Sequence, residues 1–509
     1  MYSLASVLDQ HAERRPGKTV IVDGDRRLTN RDLLSRVEAL AHGLLDLGLG
    51  RGDVIGLLLY NHAEFLEALL AAGRIGAVFL PLNYRLAPAE WEYILGHAGA
   101  RAIITESEFA PVVEGLALPE LRHRITLDEG TGTSWTRLPE LVEANLGRRV
   151  PLADLAEDDL QRLMYTSGTT SRPKGVKITN GNVNYKNLGQ IVQLGLTHAD
   201  ITLVCGPMYH VGALDLPALA TWHAGGSLIV QRRFDAGEVL RAIERERTTN
   251  VWLAPAMMNA VLESPELDRR DTSSVRFIVG GGEKMPEALV RRIHQAFPNA
   301  WFADAYGLTE TVSGDTFLDR EHALTKLGSV GRPIPHVRVR VVGEDGRDAP
   351  AGTLGEIVLR GPKVFAGYWR DDAATDRAFR DGWFHTGDIG RLDEDGFLYV
   401  EDRKKDMIVS GGENIATPEV ERVLYEHPAV LEAAVVGLPH ERWGEVPRAF
   451  VVPRPGETVT EEDVQEFCRA RLARFKVPAR VEVIDELPRT PSGKVLKRLL
   501  RERPGAGAR

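Results

Sequence analysis

Cysteine is almost missing from this chain: its 509 residues include only Cys205 and Cys468, far apart in sequence. Two such residues exclude a disulfide framework and a cysteine-rich zinc site, and they suit a reducing compartment. An excess of basic charge is missing too. The formal net charge is −9, which argues against a nucleic-acid backbone as the main partner. Nor is there a long uncharged apolar run. The most apolar stretch, FLEALLAAGRIGAVFLPL at 65–82, carries Glu67 and Arg74 and reads as a buried helix leading into a strand, with no membrane span. The first residues, MYSLASVLDQHAERRPGK, lack the basic-then-apolar order of a signal peptide, so a cytoplasmic location is expected.

What the chain does have is alternation. Residues 53–60, 101–105, 227–231 and 275–281 are short strand-like apolar runs, and 62–76 is helix-like. Such alternation predicts an α/β architecture with largely parallel sheets, and the length predicts more than one domain. From about residue 328 the pattern becomes Gly- and Pro-punctuated strands at 336–342, 354–361 and 396–402, followed by a charged joint, EDRKKD, at 401–406. A smaller α/β unit follows, with a helix at 417–427, a strand at 431–438 and a helix at 460–475. Thr417 is expected as the N-cap of the first of these helices, with Pro418 at its first helical position. The predicted domains are therefore 1–402, made of stacked α/β sheets plus a β-rich subdomain, and 403–509, a small α/β unit behind a joint at 402–406.

The stretch YTSGTTSRPKGV at 165–176 is dense in hydroxyls, glycine and lysine. It fails the P-loop pattern, because Lys174 is followed by Gly175 and Val176, and it fails the Rossmann fingerprint. Strand-like runs on both sides make it a loop between two strands. It is longer than a hairpin turn requires, and its backbone N–H groups, hydroxyls and Lys174 are suited to an anion.

This loop resembles the phosphate-binding signature of the ANL adenylating superfamily, with Ser171 where the usual form has Gly. Other signatures of that family occur in order along nearly the whole chain. The resemblance implies a large N-terminal adenylation domain holding the ATP and acid sites and a mobile C-terminal lid. Thr166, Ser167, Gly168, Thr169, Thr170 and Lys174 would hold the ATP phosphates. In DAYGLTET at 304–311, Asp304 and Ala305 would border adenine, Tyr306 would stack on it, Thr309 would contact the α-phosphate and Glu310 would help to hold Mg²⁺. The types fit the chemistry, since an aromatic face suits a purine and a hard carboxylate suits Mg²⁺ among phosphate oxygens. Asp388 in WFHTGDIG and Arg403 would hold the ribose, and Lys405 would be the hinge. Lys494, in PRTPSGKVLKR, would be the catalytic lysine, whereas Lys497 and Arg498 are expected as plain surface charges.

By the same resemblance Gly280, Gly281, Gly282 and Glu283 pass between adenine and the acid pocket, His210 sits beside the substrate carboxylate in a packing or gating role, and Gly411 and Gly412 line the pantetheine tunnel. Val211 follows His210 where amino-acid-activating relatives have Asp, and Gly307 stands where acetate-type enzymes have Trp. With Gly212, Ala213 and Gly280–Gly282 read as leaving space, a cinnamate-like aryl acid or a medium-chain acid is expected. Asp215 and Asp315 leave two readings open: either could face the pocket and read a polar or amino substituent, but surface placement is expected, because Asp is seldom buried unpaired.

The implied reaction is attack of a carboxylate on the α-phosphate of ATP, giving an acyl-adenylate and pyrophosphate, then transfer to the thiol of coenzyme A after the lid rotates. Three alternatives stay open on sequence: transfer to a carrier protein, activation of nitrite for diazotisation of an aryl amine, and a non-catalytic nucleotide-binding scaffold. Retention of Lys174, Glu310, Asp388, Arg403 and Lys494 together speaks against the last.

Overall fold

Short apolar runs buried on both faces build two large, mostly parallel sheets in the computed structural model, which describes residues 3–128, 134–166, 173–281, 285–403, 406–410, 413–440, 443–489 and 495–503. The seven-stranded sheet has the order 136–137, 123–126, 100–105, 54–58, 78–81, 160–166, 174–179. Its neighbours are parallel except the last pair. The nine-stranded sheet has the order 332–333, 316–317, 301–306, 277–281, 250–252, 201–204, 227–230, 19–23, 26–29, parallel in its centre and antiparallel at both edges. Val54–Leu58 and Phe277–Gly281 are buried along their whole length, as central strands covered on both faces must be.

The helix Ala63–Ile75 explains how the sheets are joined. Twelve of its residues are buried, and Phe65 and Leu69 share one core with Ile21 and Leu228 of one sheet and Phe79 of the other. An apolar perimeter belongs to a helix packed on all sides. Its two buried charges are paired inside: Glu67 with Arg26 and Arg36, and Arg74 with Asp9 and Glu38.

A third sheet, of strands Arg338–Val342, Gly355–Arg360, Phe379–Arg380, Trp383–Leu392 and Leu398–Arg403, is wholly antiparallel. The C-terminal sheet contains Ile408–Ser410, Glu413–Ile415, Val430–His440, Gly444–Pro453 and Arg480–Val483. Helices Thr417–Tyr425 and Glu461–Arg469 share its core, with Cys468 inside. The expected cap at Thr417 is corrected: the N-cap is Ala416, and Thr417 donates its backbone N–H and its hydroxyl to Asp402 at 2.8 and 2.9 Å. A carboxylate from the strand Leu398–Arg403 of the third sheet does the capping, because it is held at the helix N-terminus by the fold. Among the described residues no helix is long and apolar enough to cross a membrane.

One ion cluster ties the two large sheets together. His62, just before the helix Ala63–Ile75, lies 3.7 Å from Asp23, which ends a strand of the nine-stranded sheet, and 3.4 Å from Glu106, which follows a strand of the seven-stranded one. Burial disfavours a charged ring, but hydrogen bonds to both carboxylates outweigh it and His62 is pushed up to about 9. A raised value means stability complete below the unfolded value of 6.5 and lost as pH rises through about 9. Urea midpoints are therefore expected to fall across that window in the wild type and to fall less in His62→Gln. Parallel curves for the two proteins would rule out His62 as the source.

Candidate active site

Site residues collect where parallel strands end, the usual ligand position of open α/β sheets. Thr166 and Lys174 pair across the end of the antiparallel hairpin and so close the phosphate-type loop. Ser167, Gly168, Thr169 and Thr170 lie outside the described residues. The Lys174 ammonium sits 4.9 Å from the centre of the Tyr368 ring, and the Tyr368 hydroxyl donates to Glu310 Oε1 at 3.0 Å. Tyr368 is thus a shared wall for the lysine and the carboxylate, and the sequence reading missed it. Its signal was the run Gly367, Tyr368, Trp369, which is zipped to the lysine's strand by bonds from Lys177 N–H to Gly367 and from Trp369 N–H to Gly175.

Tyr306 ends the strand Trp301–Tyr306 and is buried. Its hydroxyl donates to Asp388 Oδ2 at 2.7 Å. Burial, together with the Asp388 charge, holds this phenol well above its ordinary range, so it stays a donor. Asp388 faces Arg403 in strand register. The structure therefore brings Tyr306, Asp388 and the Arg403 backbone together, and Asp304 lies buried two residues earlier on the tyrosine's strand.

The acid-pocket residues also meet. His210 caps the five-residue helix Val211–Asp215, its Nδ1 accepting from the Gly212 N–H at 3.0 Å. That bond puts the ring proton of a neutral His210 on Nε2. The ring is stacked on Trp252, with centroids 6.4 Å apart. A cleft beside them is lined by His210, Val211, Gly212, Leu216, Trp252, Gly281, Ala305, Gly307, Leu308, Thr309 and Ser313. Trp252 and Leu216 are further residues that sequence reasoning missed, since nothing local marks them.

Several expectations need correction. Gly212 lines the cleft, yet its side-chain direction is already filled: a Cβ there would lie 2.5 Å from Trp252. At Gly280 it would meet Phe302 at 2.1 Å, and at Gly307 the Gly314 backbone nitrogen at 2.4 Å. These glycines admit the protein's own rings and backbone, and Gly281, at φ 153°, lets the strand approach the Ala305 carbonyl. Asp215 and Asp315 are fully buried. Each is paired, Asp215 with Arg162 at 2.7 Å and Lys186 at 3.1 Å, Asp315 with Lys363 at 2.8 Å. Cations from elsewhere in the chain make that burial tolerable. Lys497 is no plain surface charge. It bonds Thr417 and lies 2.9 Å from Glu421; burial opposes its charge, but Glu421, Asp402 and Asp406 together outweigh this and raise it. Arg498 is exposed, as expected.

Gly282, Glu283, Lys405, Gly411, Gly412 and Lys494 lie outside the described residues. An isolated antiparallel bridge between Arg489 and Val495 spans the segment that carries Lys494.

The structure thus brings together a hairpin end carrying Lys174, the Tyr306–Asp388 pair and a cleft beside His210 and Trp252. Residues 8–369 match the AMP-binding enzyme family and residues 419–494 match the AMP-binding enzyme C-terminal domain. The chain is similar to the feruloyl-CoA synthase of an Amycolatopsis species, 41% identical over 97% of this chain and 98% of that protein. It is 37% identical to the indoleacetate–CoA ligase of Aromatoleum aromaticum, over 97% of this chain and 96% of that one. An anthranilate–CoA ligase solved in complex with anthranoyl-AMP superposes with a TM-score of 0.92 at 28% identity, covering 98% of this chain and 97% of that one. The chain belongs to the AMP-binding enzyme family, within the ANL superfamily of adenylate-forming enzymes. It is an AMP-forming acid–CoA ligase, which activates a carboxylic acid with ATP and passes the acyl group to coenzyme A.

Proposed function

We propose that the acid is an aryl acid, cinnamate-like or a close relative, and that the residues named above divide the reaction between them. One observation carries this reading: the cleft walled by Trp252 and His210 includes Ala305 and Thr309, which belong to the segment that carries Tyr306 and Glu310. A ring lying against Trp252 would hold its carboxylate next to the nucleotide segment. The similar proteins act on ferulate, indoleacetate and anthranilate by their names, which supports an aromatic acid here.

Lys174 and the loop that it closes would hold the outer phosphates of ATP. Tyr306 would present its face to adenine with its hydroxyl tethered by Asp388, and Asp388 with Arg403 would take the ribose. Glu310 fits a hard divalent cation: it is a carboxylate held by the hydroxyl of Tyr368, whose ring faces the Lys174 ammonium. Magnesium bound there would supply charge neutralisation between the phosphates as pyrophosphate departs. Lys494 would draw the carboxylate and α-phosphate together against their repulsion. The domain division at residues 402–406 then has a chemical reason. Lysine and thiol need the same carbon in turn, so the unit from 403 to 509 is proposed to rotate about Lys405. Gly411 and Gly412 would next line the pantetheine path, and a cytoplasmic setting would supply ATP and coenzyme A.

Pyrophosphate release from Mg-ATP, measured across a panel of acids with and without coenzyme A, tests the reading. Release with aryl acids, and thioester on adding coenzyme A, is expected. Release driven by nitrite with coenzyme A irrelevant would replace the acid and acceptor while keeping the nucleotide site. Trp252→Ala is expected to lower kcat/KM for an aryl acid by about tenfold or more, in the range of lost apolar pocket contacts, and to change the value for a medium-chain acid much less. Equal losses for both acids would remove Trp252 as the aryl wall.

A further inference from the structure

Beyond Glu310 the backbone does something costly. Val312, Ser313 and Gly314 are three successive residues at φ 55°, 60° and 65°, and two of them carry side chains that disfavour this region. A strained turn persists only where its surroundings over-determine it. Here the surroundings include one buried ammonium. Lys363 is 1% exposed and spends its three donors on the turn: Ser313 O at 2.8 Å, Gly314 O at 2.9 Å and Asp315 Oδ1 at 2.8 Å. The other oxygen of Asp315 accepts from Thr311, whose hydroxyl also accepts from the Leu308 N–H at 3.1 Å. The turn is gripped from Leu308 to Asp315.

The segment carrying Lys363 grips Glu310 twice more. The Phe365 N–H donates to the Glu310 carbonyl at 2.8 Å, and the Tyr368 hydroxyl donates to its carboxylate at 3.0 Å. The gripped turn also supplies Leu308, Thr309 and Ser313 to the wall of the acid cleft. A buried lysine is a poor way to gain stability, since an apolar side chain of similar size avoids its desolvation. It is a good way to hold one conformation, because three short charge-assisted bonds tolerate little displacement.

We propose that Lys363 is a positioning residue for adenylation: its buried ammonium, with Asp315, sets the 308–315 turn so that Glu310 faces the phosphates while Thr309 and Ser313 face the acid. The inference rests on the adenylation reading above for what Glu310 does.

The test is Lys363→Met, read first by calorimetric ATP binding with and without Mg²⁺, then by acid-dependent pyrophosphate release. Magnesium is expected to strengthen ATP binding about tenfold less in the variant than in the wild type, the usual scale for losing a residue that orients a metal ligand. Affinity for ATP without Mg²⁺ should stay within about twofold, and kcat should fall about tenfold or more. A folded variant with wild-type Mg²⁺ dependence and kcat, changed only in melting temperature, would overturn the proposal. If Lys363→Met does not fold, Asp315→Asn keeps the shape and removes the partner charge. A smaller shift in the same direction supports the assignment, and no shift overturns it. Wild-type protein that binds Mg-ATP yet releases no pyrophosphate with any acid would defeat the adenylation reading alone, because the binding comparison still decides on Lys363.

Discussion

Lys494→Ala is expected to slow acid-dependent pyrophosphate release by about a hundredfold or more, the scale on which removal of one charge-stabilising donor acts. Two anions, a carboxylate and a triphosphate, must meet in this step, and charge gathers on the departing pyrophosphate. In the proposed role the Lys494 ammonium bridges the carboxylate and the α-phosphate and so lowers that barrier, whereas the later attack by a thiol on the mixed anhydride needs no such bridge. Thioester formation from supplied acyl-adenylate should therefore change by much less. The fold should not suffer. Val420, Ala449 and Val464 give the C-terminal unit its own core, and Lys497 holds Glu421 and Thr417 whatever residue occupies position 494. An unchanged melting temperature with a lost first step is the expected pair of results. Equal losses in both steps would sink the exchange of lysine and thiol at one carbon.

Glu310→Gln should cost about a hundredfold in kcat/KM for ATP, again on the scale of a missing electrostatic stabiliser, and should raise the Mg²⁺ needed for half activity. The substitution is chosen for what it preserves. An amide oxygen can still accept from the Tyr368 hydroxyl, which bonds Oε1 at 3.0 Å, and the Phe365 N–H still meets the backbone carbonyl. Geometry stays and the charge goes. Measuring pyrophosphate release against Mg²⁺ concentration separates the two: a rightward shift marks Glu310 as a metal carboxylate, and a wild-type curve would remove it from that role. Set beside Lys363→Met, which keeps the carboxylate and loosens its support, the two variants divide charge from position.

The proposed nucleotide residues stand out in the sequence because they lie in contiguous runs. Thr166 and Lys174 flank one loop, and Asp304, Tyr306, Thr309 and Glu310 fall within the seven positions 304–310; Thr166, Lys174 and Tyr306 stand at strand ends, and Thr309 and Glu310 in the short helix just after the last of these strands. The acid half was less legible. Its glycines were read as openings, yet Trp252 and Phe302 fill the places beside Gly212 and Gly280. An absent side chain in a sequence says that something comes close there, and it does not say whether that is a ligand or the protein itself.

By itself the sequence determined the periodicities, and through them the strands, the helices, the α/β class and the order of the nucleotide motifs. These depend on residues within a few positions of one another, which is the range over which side-chain spacing selects local structure. Only the tertiary structure decided that Asp215 and Asp315 are interior, that Tyr368 joins Lys174 to Glu310, and that Lys363 holds the turn behind Glu310. Each of these depends on a partner roughly fifty residues or more away in the chain, from Lys363 with Asp315 and Arg162 with Asp215 to Lys174 with Tyr368. Whether a charge can be buried is settled by the opposite charge that folding brings to it, and sequence spacing carries no record of that meeting.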